Sequence, residues 1–465
     1  MTNFSYENKE YILEAIRNGN IGEVQVEYPN FIDKIMKQIN EMGFTSFLGQ
    51  AISDKRRKNL SIPIDVFFFL SVAAKMKAMT SLYDIPFALS DAELIEELGW
   101  NAWAGNRDFK NGIFDEATLR KLIKKYSAED WIEFYNKNIS LILENSLLEK
   151  PSIHILDCTK IPVNLKNSNY ENSSFTYHNS QRIRGYKLGT LRGIFKDTGI
   201  IEEIVFGTAQ THDLELCRDM LKNSSLLAPD DILIVDKGFL SREMVNFLKK
   251  ERGVDVFLPV RKDMAIYNEA VCLAESDKMK WESRPNKKRK NQEIKKVEKL
   301  GISWIEENSR EEENVELNAC VVREKQKTGE YKYSVFVTTS LSDTGKRIIK
   351  MYEMRSEIEE DYRQTKYFWR MIDFKSTKYN FIAYHIVMTL IGYLYFQIFL
   401  NTEKGEKYRG KSLMTILKRE KSGKPKSIIV YYEGSFGIFK LVEFLHLYTE
   451  CNLKIRKILD YFLED

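Results

Sequence analysis

The feature that most constrains the fold is a set of short apolar runs that begins near residue 150. These runs, SIHILDCT, YKLGTLRGIF, IIEEIVFGTA and DILIVD, are rich in Ile, Val and Leu and are bounded by Gly, Asp or Asn, a pattern typical of β-strands. Helical patterns follow the third run (HDLELCRDMLKNSS) and the fourth (LSREMVNFLKKERG), before a fifth strand-like run, VDVFLPV. This order predicts an α/β fold in which helices cover a mixed sheet.

The rest of the chain has a different patterning on each side of these runs. Apolar residues recur at three- and four-residue spacing before the runs, which predicts an all-helical N-terminal domain at residues 1–150. Residues 261–335 are charged and irregular and end in the strand-like stretches VELNACVV and YKYSVFVTT. We therefore expect a β-rich insertion in a domain built from residues 151–260 and 336–400, followed by a basic helical region at 401–465.

Composition excludes several classes of protein. The chain has 465 residues, of which 43% are hydrophobic and 30% charged, values typical of globular domains and not of disordered or collagen-like chains. The net charge of +4 is too small to identify a nucleic-acid binder, so any basic surface must be local. Two basic stretches could follow a DNA backbone or form solvated loops. They are Lys404–Lys426 and, in the insertion, Arg284, Lys287, Lys288, Arg289, Lys290, Lys295 and Lys296.

The cysteines and the apolar segments bear on localisation. Five cysteines lie far apart without a CxxC pair, which excludes a zinc ribbon and favours a reducing compartment. The first twenty residues contain no continuous apolar core, so we expect no secretory signal peptide and a cytoplasmic protein. Residues Ile382–Leu400 are apolar enough to raise the question of a membrane span. Because this segment contains His385, Gln397 and three tyrosines, a buried core helix is favoured.

Two acidic residues end strand-like runs. Asp157 closes the apolar part of ILDCT, and Asp236 closes ILIVD. A carboxylate at the end of a hydrophobic strand lies at a sheet edge where ligands bind, which makes both residues candidates for a site. Asp also favours turns, so either residue alone has a purely structural explanation.

A helical pattern after the insertion carries a polar stripe. Tyr352, Arg355, Glu359 and Lys366 fall at offsets 0, 3, 7 and 14, which places them on one face of a continuous helix beside an apolar stripe that would pack on the sheet. The alternative is a solvated face of ion pairs, such as Arg355 with Glu359.

These segments together resemble a known family. The spacing Y-x2-R-x3-E-x6-K is complete, and it is the signature of the DDE transposases of bacterial insertion sequences called the YREK group. ILDCTKI and IVDKGF resemble the segments that carry the group's two aspartates, and THDLE, at His212 and Asp213, resembles a His-Asp pair often found between them. The resemblance covers roughly residues 150 to 400. Three carboxylates, at Glu357, Glu360 and Asp361, surround Glu359, and only the motif spacing selects it.

The resemblance implies a ribonuclease-H-like catalytic domain. In that family Asp157, Asp236 and Glu359 would be the catalytic residues and the ligands of two divalent ions, normally magnesium, for which manganese can substitute. Three carboxylates without Cys or His suit such ions. Two metals can activate the entering oxygen and stabilise the leaving oxygen of an in-line displacement at phosphorus. We expect His212 to be a core or supporting residue and not a metal ligand.

The resemblance also implies the partners. Tyr352, Arg355 and Lys366 would lie against transposon-end DNA, where the two cations would hold phosphates. The helical N-terminal domain would bind the terminal inverted repeats, and residues 401–465 would contact DNA or dimerise. The expected function is cut-and-paste transposition into target DNA at the bacterial nucleoid, with a homodimer in the synaptic complex. Some members stack a Trp of the insertion on a flipped base, but neither Trp281 nor Trp304 has a matching spacing.

Two other functions compete with this one. The chain could be an inactive, transposase-derived DNA-binding protein, although the presence of all three carboxylates argues against that. It could also be a ribonuclease-H-like nuclease that cuts without joining. The Tyr-Arg-Glu-Lys stripe favours the transposase, because plain hydrolysis does not require cations that position a DNA end.

Overall fold

The computed structural model describes residues 6–20, 23–27, 31–56, 62–89, 92–100, 113–145, 150–178, 180–195, 198–276, 280–284, 291–300, 314–419 and 427–451. The chain forms two compact units. Unit 1 comprises Met1–Asp130, Phe368–Ser376 and Asn380–Asp465, and unit 2 comprises Trp131–Tyr367 and Thr377–Tyr379. Each unit is therefore built from segments that are not contiguous in sequence.

The elements follow one another along both units. The described α-helices are α1 (Lys9–Arg17), α2 (Phe31–Glu41), α3 (Phe44–Gln50), α4 (Ile64–Met76), α5 (Ala92–Glu97), α6 (Glu116–Ile123), α7 (Ala128–Glu144), α8 (Asp213–Leu216), α9 (Arg218–Asn223), α10 (Arg242–Lys250), α11 (Ala265–Ser276), α12 (Gly345–Glu353), α13 (Ser356–Arg363), α14 (Tyr379–Leu400), α15 (Leu413–Arg419) and α16 (Leu441–Glu450). The described strands are β1 (Tyr6–Glu7), β2 (Glu23–Glu27), β3 (Ile153–Val163), β4 (Ser174–His178), β5 (Gln181–Phe195), β6 (Thr198–Thr208), β7 (Ile232–Val235), β8 (Asp255–Pro259), β9 (Glu282–Ser283), β10 (Gln292–Leu300), β11 (Leu317–Lys325), β12 (Tyr331–Thr338), β13 (Ser427–Tyr432) and β14 (Ser435–Lys440).

Unit 2 contains a mixed sheet. Its strands follow the order β4-β5-β3-β7-β8-β12-β11-β10-β9, and β6 pairs with β5. β7 runs parallel to both β3 and β8, whereas β5 runs antiparallel to β3 and β6. The predicted succession of three strands, helix, strand, helix and strand is present, with β4 as an additional short strand. The α/β class predicted for a ribonuclease-H-like fold is therefore confirmed.

The central strands of unit 2 are buried on both faces. Ile155 and Ile234 belong to a core that includes residues of α12 and α13, whereas Leu156 and Leu233 belong to a core with residues of α9, α10 and α11. Because successive side chains of a strand point to opposite faces, two buried faces require nearly continuous apolar runs. This requirement explains why the strand-like runs of the sequence lack a polar alternation.

The charged segment after β8 adds strands to the same sheet. β12 pairs antiparallel with β8, and β11 and β10 follow it outwards. Helix α11 precedes these strands and contributes Ile266 and Ala270 to the core on the α10 side. The segment predicted to be a β-rich insertion thus continues the central sheet, since pairing with β12 covers an edge of β8 that would otherwise expose unpaired backbone groups.

Unit 1 is mainly helical. Helices α1 to α6 agree with the pattern read from the N-terminal residues, but β1 and β2 were not predicted. These two strands join the C-terminal hairpin in a four-stranded sheet of order β1-β14-β13-β2. Ile12 and Ile16 of α1 pack there with Ile428 and Val430 of β13. The first and last described segments of the chain therefore share one core.

The C-terminal hairpin differs from the predicted helical C-terminal region. β13 and β14 pair directly, with Tyr432 opposite Ser435. The two residues between them, Glu433 and Gly434, have φ values of 43° and 78°, as a two-residue hairpin turn requires. The sequence did not predict this hairpin, because the apolar run SIIVYY is short, lies in a charged region and fits a strand or a buried helix equally well.

Helix α14 is the apolar segment identified in the sequence. It is the one helix of the described residues that is long and apolar enough to cross a membrane, and 94% of its most apolar 18-residue window is buried inside the protein. Its ring contacts include Tyr393, which lies edge-on to Trp369 with 5.6 Å between ring centroids. The described burial is that of a core helix.

Candidate active site

Two neighbouring parallel strands bring the two aspartates to the same level of the sheet. Leu156 of β3 pairs with Val235 of β7, so Asp157 and Asp236 are the next residues of adjacent strands. β7 ends at Val235, as predicted. β3 does not end at Asp157 but continues to Val163. The prediction that Asp157 closes its strand is therefore wrong, because β5 pairs with β3 beyond this point and Asp157 itself lies opposite Thr190.

The motif helix is interrupted. Instead of one continuous helix, α12 ends at Glu353, α13 begins at Ser356, and residues Gln364–Phe368 form a π-helical turn. The Ser356 hydroxyl donates a hydrogen bond to the Glu353 carbonyl at 2.9 Å, and such local bonding by serine competes with the regular helical pattern. Arg355 lies at this break, directly before α13.

The guanidinium of Arg355 contacts all three predicted carboxylates. Its Nη2 lies 3.1 Å from Asp157 Oδ2 and 3.7 Å from Asp236 Oδ2, and its Nη1 lies 2.5 Å from Glu359 Oε1. The Arg355 side chain is only 17% exposed. Asp157, Asp236 and Glu359 are thus brought together around one cation, although they come from β3, the end of β7 and α13.

Tyr352 approaches the same cluster from the last turn of α12. Its hydroxyl donates a long hydrogen bond to Asp236 Oδ1 at 3.5 Å, and its ring centroid lies 4.8 Å from that of Phe336. Burial raises the pKa of the Tyr352 hydroxyl above its ordinary value, and the carboxylates of Asp236 and Asp157 raise it further against the opposing charge of Arg355. The hydroxyl therefore keeps its proton and can act as a donor.

The other acidic residues of α13 have different partners. Glu357 lies 2.9 Å and Asp361 2.6 Å from nitrogens of Arg192, which is buried. Glu360 accepts hydrogen bonds from Arg363 and Gln364. Among these neighbours, only Glu359 is paired with Arg355. The contacts therefore support the residue that the motif spacing selected.

Asp157 has the most unusual environment of the three carboxylates. Burial raises the pKa of its carboxyl group to about 6, although Arg355 and the backbone N–H of Cys158 favour the charged form. The carboxylates of Asp236 and Asp213 act in the same direction as burial. A raised pKa caused by burial and neighbouring charges is typical of functional sites.

Lys366 lies in the π-helical turn that follows α13. Its ammonium donates to the hydroxyl of Thr159, two residues after Asp157 on β3. Burial lowers the pKa of Lys366 to about 8, and Asp157 opposes this change. Lys366 therefore lies close enough to feel the charge of Asp157 but does not belong to the cluster around Arg355.

A hydrogen-bond chain holds α13 against β3. The hydroxyl of Tyr362, which is buried, donates to the Asp157 carbonyl at 2.7 Å and accepts from Thr190 at 2.6 Å. Since Thr190 is opposite Asp157 in the sheet, this chain spans both strands. These hydrogen bonds hold α13, which carries Glu359, next to Asp157 of β3.

A fourth carboxylate near the site was not predicted as a site residue. Asp213, which begins α8, influences the charge of Asp157 and is held by Lys187 at 2.6 Å. Its Oδ2 lies 3.1 Å from where a Cβ on Gly238 would be, so a larger residue at position 238 would require the Asp213 side chain to shift by a few tenths of an ångström. The THDLE segment was the signal for this residue. His212, expected to be a core or supporting residue, is exposed, and that expectation is wrong for the core.

The cluster fits a hard divalent cation by the chemistry of its donors. Carboxylate oxygens are the ligands that magnesium and manganese prefer, and Asp157, Asp236 and Glu359 already converge on a positive charge. Among the described residues, no group of three His, Cys, Asp or Glu side chains lies close enough to hold a metal ion, because the Arg355 guanidinium separates the three carboxylates. A metal at these residues therefore requires that Arg355 leave its place between them.

The insertion differs from what its sequence suggested. Trp281 packs against the core and carries Arg323 at 4.0 Å from its ring, while Trp304 lies outside the described residues. Arg284 and Lys295, expected in a DNA-tracking stretch, are buried. Arg284 pairs with Glu353 at 2.7 Å, and Lys295 donates to the Ala274 carbonyl. The prediction that Arg284 and Lys295 belong to a basic DNA-binding surface is therefore wrong, because both side chains are buried and bonded to other parts of the protein.

The remaining basic residues are half-buried or exposed, or lie outside the described residues. Lys296 pairs with Glu298 at 2.7 Å, and Lys404 is exposed and lies 3.5 Å from Glu41. Of the expected basic stretches, residues 285–290 and 420–426, which include Lys287, Lys288, Arg289, Lys290 and Lys426, lie outside the described residues.

Comparison with known proteins gives one match. Residues 148–395 match the model of the family described as "Transposase DDE domain", which is more than half of the chain and includes every residue of the cluster around Arg355. A search of curated proteins found no match.

Proposed function

Because the chain belongs to the transposase DDE domain family, we propose that it is an active DDE transposase that cuts DNA at the terminal inverted repeats of its own element and joins the ends to target DNA. The observation that carries this proposal is the convergence of Asp157, Asp236 and Glu359 on Arg355. A carboxylate triad from distant segments has no purely structural need to meet in a partly open site.

Asp157, Asp236 and Glu359 would hold two magnesium or manganese ions, which activate the entering oxygen and stabilise the leaving oxygen when phosphodiester bonds are hydrolysed or exchanged. Asp157 is the most buried of the three, and Glu359 is the most exposed, with 57% of its side chain accessible. We assign the central position to Asp157 and the DNA-facing position to Glu359.

Arg355 has two roles in this proposal. In the structure it balances the charge of three carboxylates that would otherwise repel one another. Once released from these carboxylates, its guanidinium would be able to hold a DNA phosphate by two parallel hydrogen bonds. In this proposal Arg355 either pairs with the carboxylates or binds the transposon end, so the two interactions exclude each other.

Tyr352 and Lys366 position the DNA. Tyr352 keeps a protonated hydroxyl beside Asp236, and this hydroxyl can donate to a phosphate oxygen or to the deoxyribose end. Lys366 is a point charge next to Asp157, and a nearby phosphate would raise its lowered pKa and hold it protonated. Together they would place the scissile phosphate against Asp157 and Glu359.

We assign recognition of the inverted repeats to the helical N-terminal residues 1–150 and further DNA contact or dimerisation to residues 401–465. Exposed lysines such as Lys404 support a DNA-facing role. The proposed complex is a homodimer that brings two transposon ends together and acts at the bacterial nucleoid.

The test is a cleavage and joining assay with the purified full chain. Its substrate is a duplex that carries the inverted repeats flanking the coding region, and the reaction contains magnesium, manganese or EDTA. We expect ends to be released and joined to a target plasmid with either ion and no reaction in EDTA. Cleavage without joining would indicate a nuclease, binding without cleavage an inactive remnant, and equal cleavage in EDTA would contradict metal dependence.

A further inference from the structure

A small pocket in unit 1 has a strongly basic lining. It has a volume of about 100 Å³ and lies between the end of α4, the turn before the 3-10 helix Leu82–Phe87, α6, and the start of α14 with the loop before it. None of the residues proposed for the reaction lines it. Its polar lining consists of Lys75, Thr80, Ser81, Arg120, Lys375, Ser376, Tyr384 and His385.

Lys75 is the unusual member of this lining. It is fully buried, and a lysine is almost never buried without a partner for its charge. Its ammonium donates to the Met79 carbonyl at 3.2 Å and lies 3.1 Å from Nδ1 of His385. The Met79 carbonyl and the His385 ring are both neutral acceptors, so neither balances the positive charge of Lys75.

His385 cannot supply a negative or positive charge at neutral pH. Its Nε2 lies 3.1 Å from the Arg370 carbonyl, an acceptor, so this nitrogen carries the proton and Nδ1 accepts from Lys75. Burial lowers the pKa of His385 well below its ordinary value, and the charge of Lys75 lowers it further. The ring is therefore a neutral acceptor that orients Lys75 and leaves one of its three donor hydrogens for another group.

The remaining charges of the pocket are also positive. Arg120 and Lys375 line it, and no acidic residue is among the described residues that do so. Two acids outside the lining act on its cations. Glu116 pairs with Arg120 along α6. Asp84 raises the pKa of Lys75, whereas burial lowers that pKa more strongly, to about 7. The pocket thus presents the cations of Arg120 and Lys375, together with Lys75, which a bound anion would keep protonated, and no carboxylate of the described residues lines it.

We propose that this pocket binds a phosphate group, which Lys75, Arg120 and Lys375 hold by charge while the hydroxyls of Thr80, Ser81 and Ser376 donate hydrogen bonds. Phosphate is a tetrahedral anion with several acceptor oxygens, so it can satisfy cationic and hydroxyl donors that converge from different elements. The pocket is small beside those that hold drug-sized ligands, which suits a single phosphate group and not a nucleoside.

The phosphate can come from two sources. It can belong to the backbone of bound DNA, in which case the inference deepens the proposed function by adding a DNA anchor outside the carboxylate cluster. It can also be free inorganic phosphate. The two sources share their recognition chemistry and differ in whether DNA binding depends on the pocket.

The first experiment measures phosphate binding to the full chain by isothermal titration calorimetry, with inorganic phosphate as the probe at constant ionic strength. We expect Arg120→Gln and Lys375→Gln each to weaken binding about tenfold, because each removes a charge-assisted hydrogen bond. Lys121→Gln is the matched control, since Lys121 is exposed and next to Arg120 but does not line the pocket. All three substitutions lie at exposed positions, so the fold should persist, which circular dichroism checks.

The second experiment measures the affinity for a transposon-end duplex over a salt series. If the bound phosphate belongs to DNA, Arg120→Gln and Lys375→Gln should each reduce the slope of log K against log salt by roughly 0.9. If it is free phosphate, the slopes should equal that of the wild type while phosphate affinity falls. The proposal is overturned if neither phosphate affinity nor salt slope distinguishes these variants from the wild type and from Lys121→Gln. Neither readout requires DNA cleavage, so failure of the proposed catalytic function would be separate.

Discussion

Nη2 of Arg355 lies 3.1 Å from Oδ2 of Asp157, which joins two residues that lie on opposite sides of the β9–β12 segment in sequence. This contact places the cation of the motif within the carboxylate cluster, whereas the family resemblance assigned it to DNA. In the structure, Arg355 is the counter-ion of the candidate active site. The consequences of that position can be measured.

Arg355→Gln should lower the free energy of unfolding in the absence of divalent ions by about 1–3 kcal/mol, because it leaves the buried carboxylate of Asp157 without its cation. Magnesium should then raise the midpoint of thermal unfolding more in the variant than in the wild type. Arg363→Gln is the control, since the exposed pair of Arg363 with Glu360 should contribute little. If magnesium raised the unfolding midpoint equally in Arg355→Gln and Arg363→Gln, Arg355 would have no influence on metal binding.

Glu359→Gln should lower the rate of DNA cleavage by orders of magnitude. Binding of transposon ends, measured by gel shift, should be unchanged. The substitution keeps the size of the side chain but removes the charge that would bind magnesium. Glu359 is exposed, so folding should be unaffected. The matched control is Glu360→Gln, whose carboxylate pairs with Arg363 and which should cut normally. If Glu359→Gln still cuts, its pairing with Arg355 is only a surface ion pair.

Lys366→Ala should weaken end binding and reduce the salt slope of log K by roughly 0.9, as expected for one lost phosphate contact. Arg355→Ala should have a similar effect in the presence of magnesium. Lys346→Ala, at an exposed lysine that pairs with Glu282, controls for loss of general charge. The measurement is fluorescence anisotropy with an end duplex over a salt series. Wild-type slopes for both motif variants would contradict a grip on DNA.

Asp157→Asn should stabilise the metal-free protein, and the gain should depend on pH. The native carboxyl keeps its proton up to about pH 6, whereas the unfolded one loses it near its ordinary value of 3.8. Between these values the unfolded state loses protons first, so wild-type stability falls as pH rises and the cost then stays constant. Urea unfolding from pH 4 to 7 should therefore show a growing difference that levels above about pH 6. A difference independent of pH would refute the raised pKa.

The stability of unit 2 should fall in alkaline solution because of His154. This buried residue lies 2.8 Å from Glu202 and 3.4 Å from Asp231. Burial alone would lower its pKa, but the two carboxylates outweigh burial and raise the pKa to about 9. A raised histidine pKa stabilises the fold fully below 6.5, its ordinary value, and this contribution is lost as pH rises through about 9.

The corresponding measurement is urea unfolding of the wild type and His154→Gln between pH 6 and 9.5. We expect the variant to be less stable by about 3–5 kcal/mol at pH 6, since removing one partner leaves buried carboxylates unbalanced. The difference should shrink as pH approaches 9. A constant difference across this range would show that His154 acts by packing alone.

The sequence by itself determined the α/β class and the order of the strands and helices in unit 2, and it favoured a buried position for α14. These properties follow from local periodicity, since two buried faces demand apolar strands and a buried helix demands apolar residues all round. The sequence also identified Asp157, Asp236 and Glu359 as candidates, because the motif spacing and the strand-like runs are local signals. It did not show where β3 ends or that the motif helix is broken at Arg355.

The tertiary structure alone decided which groups meet. It separates Glu359 from Glu357 and Asp361, which turn to Arg192, and it brings Asp213 near Asp157. It also joins β12 to β8 and the C-terminal hairpin to β1 and β2. The physical reason is the same for the ion pairs and for the strand pairs: each forms between residues that are far apart in the chain. Neither the spacing of residues nor their local propensity specifies such contacts, whereas the packed fold does.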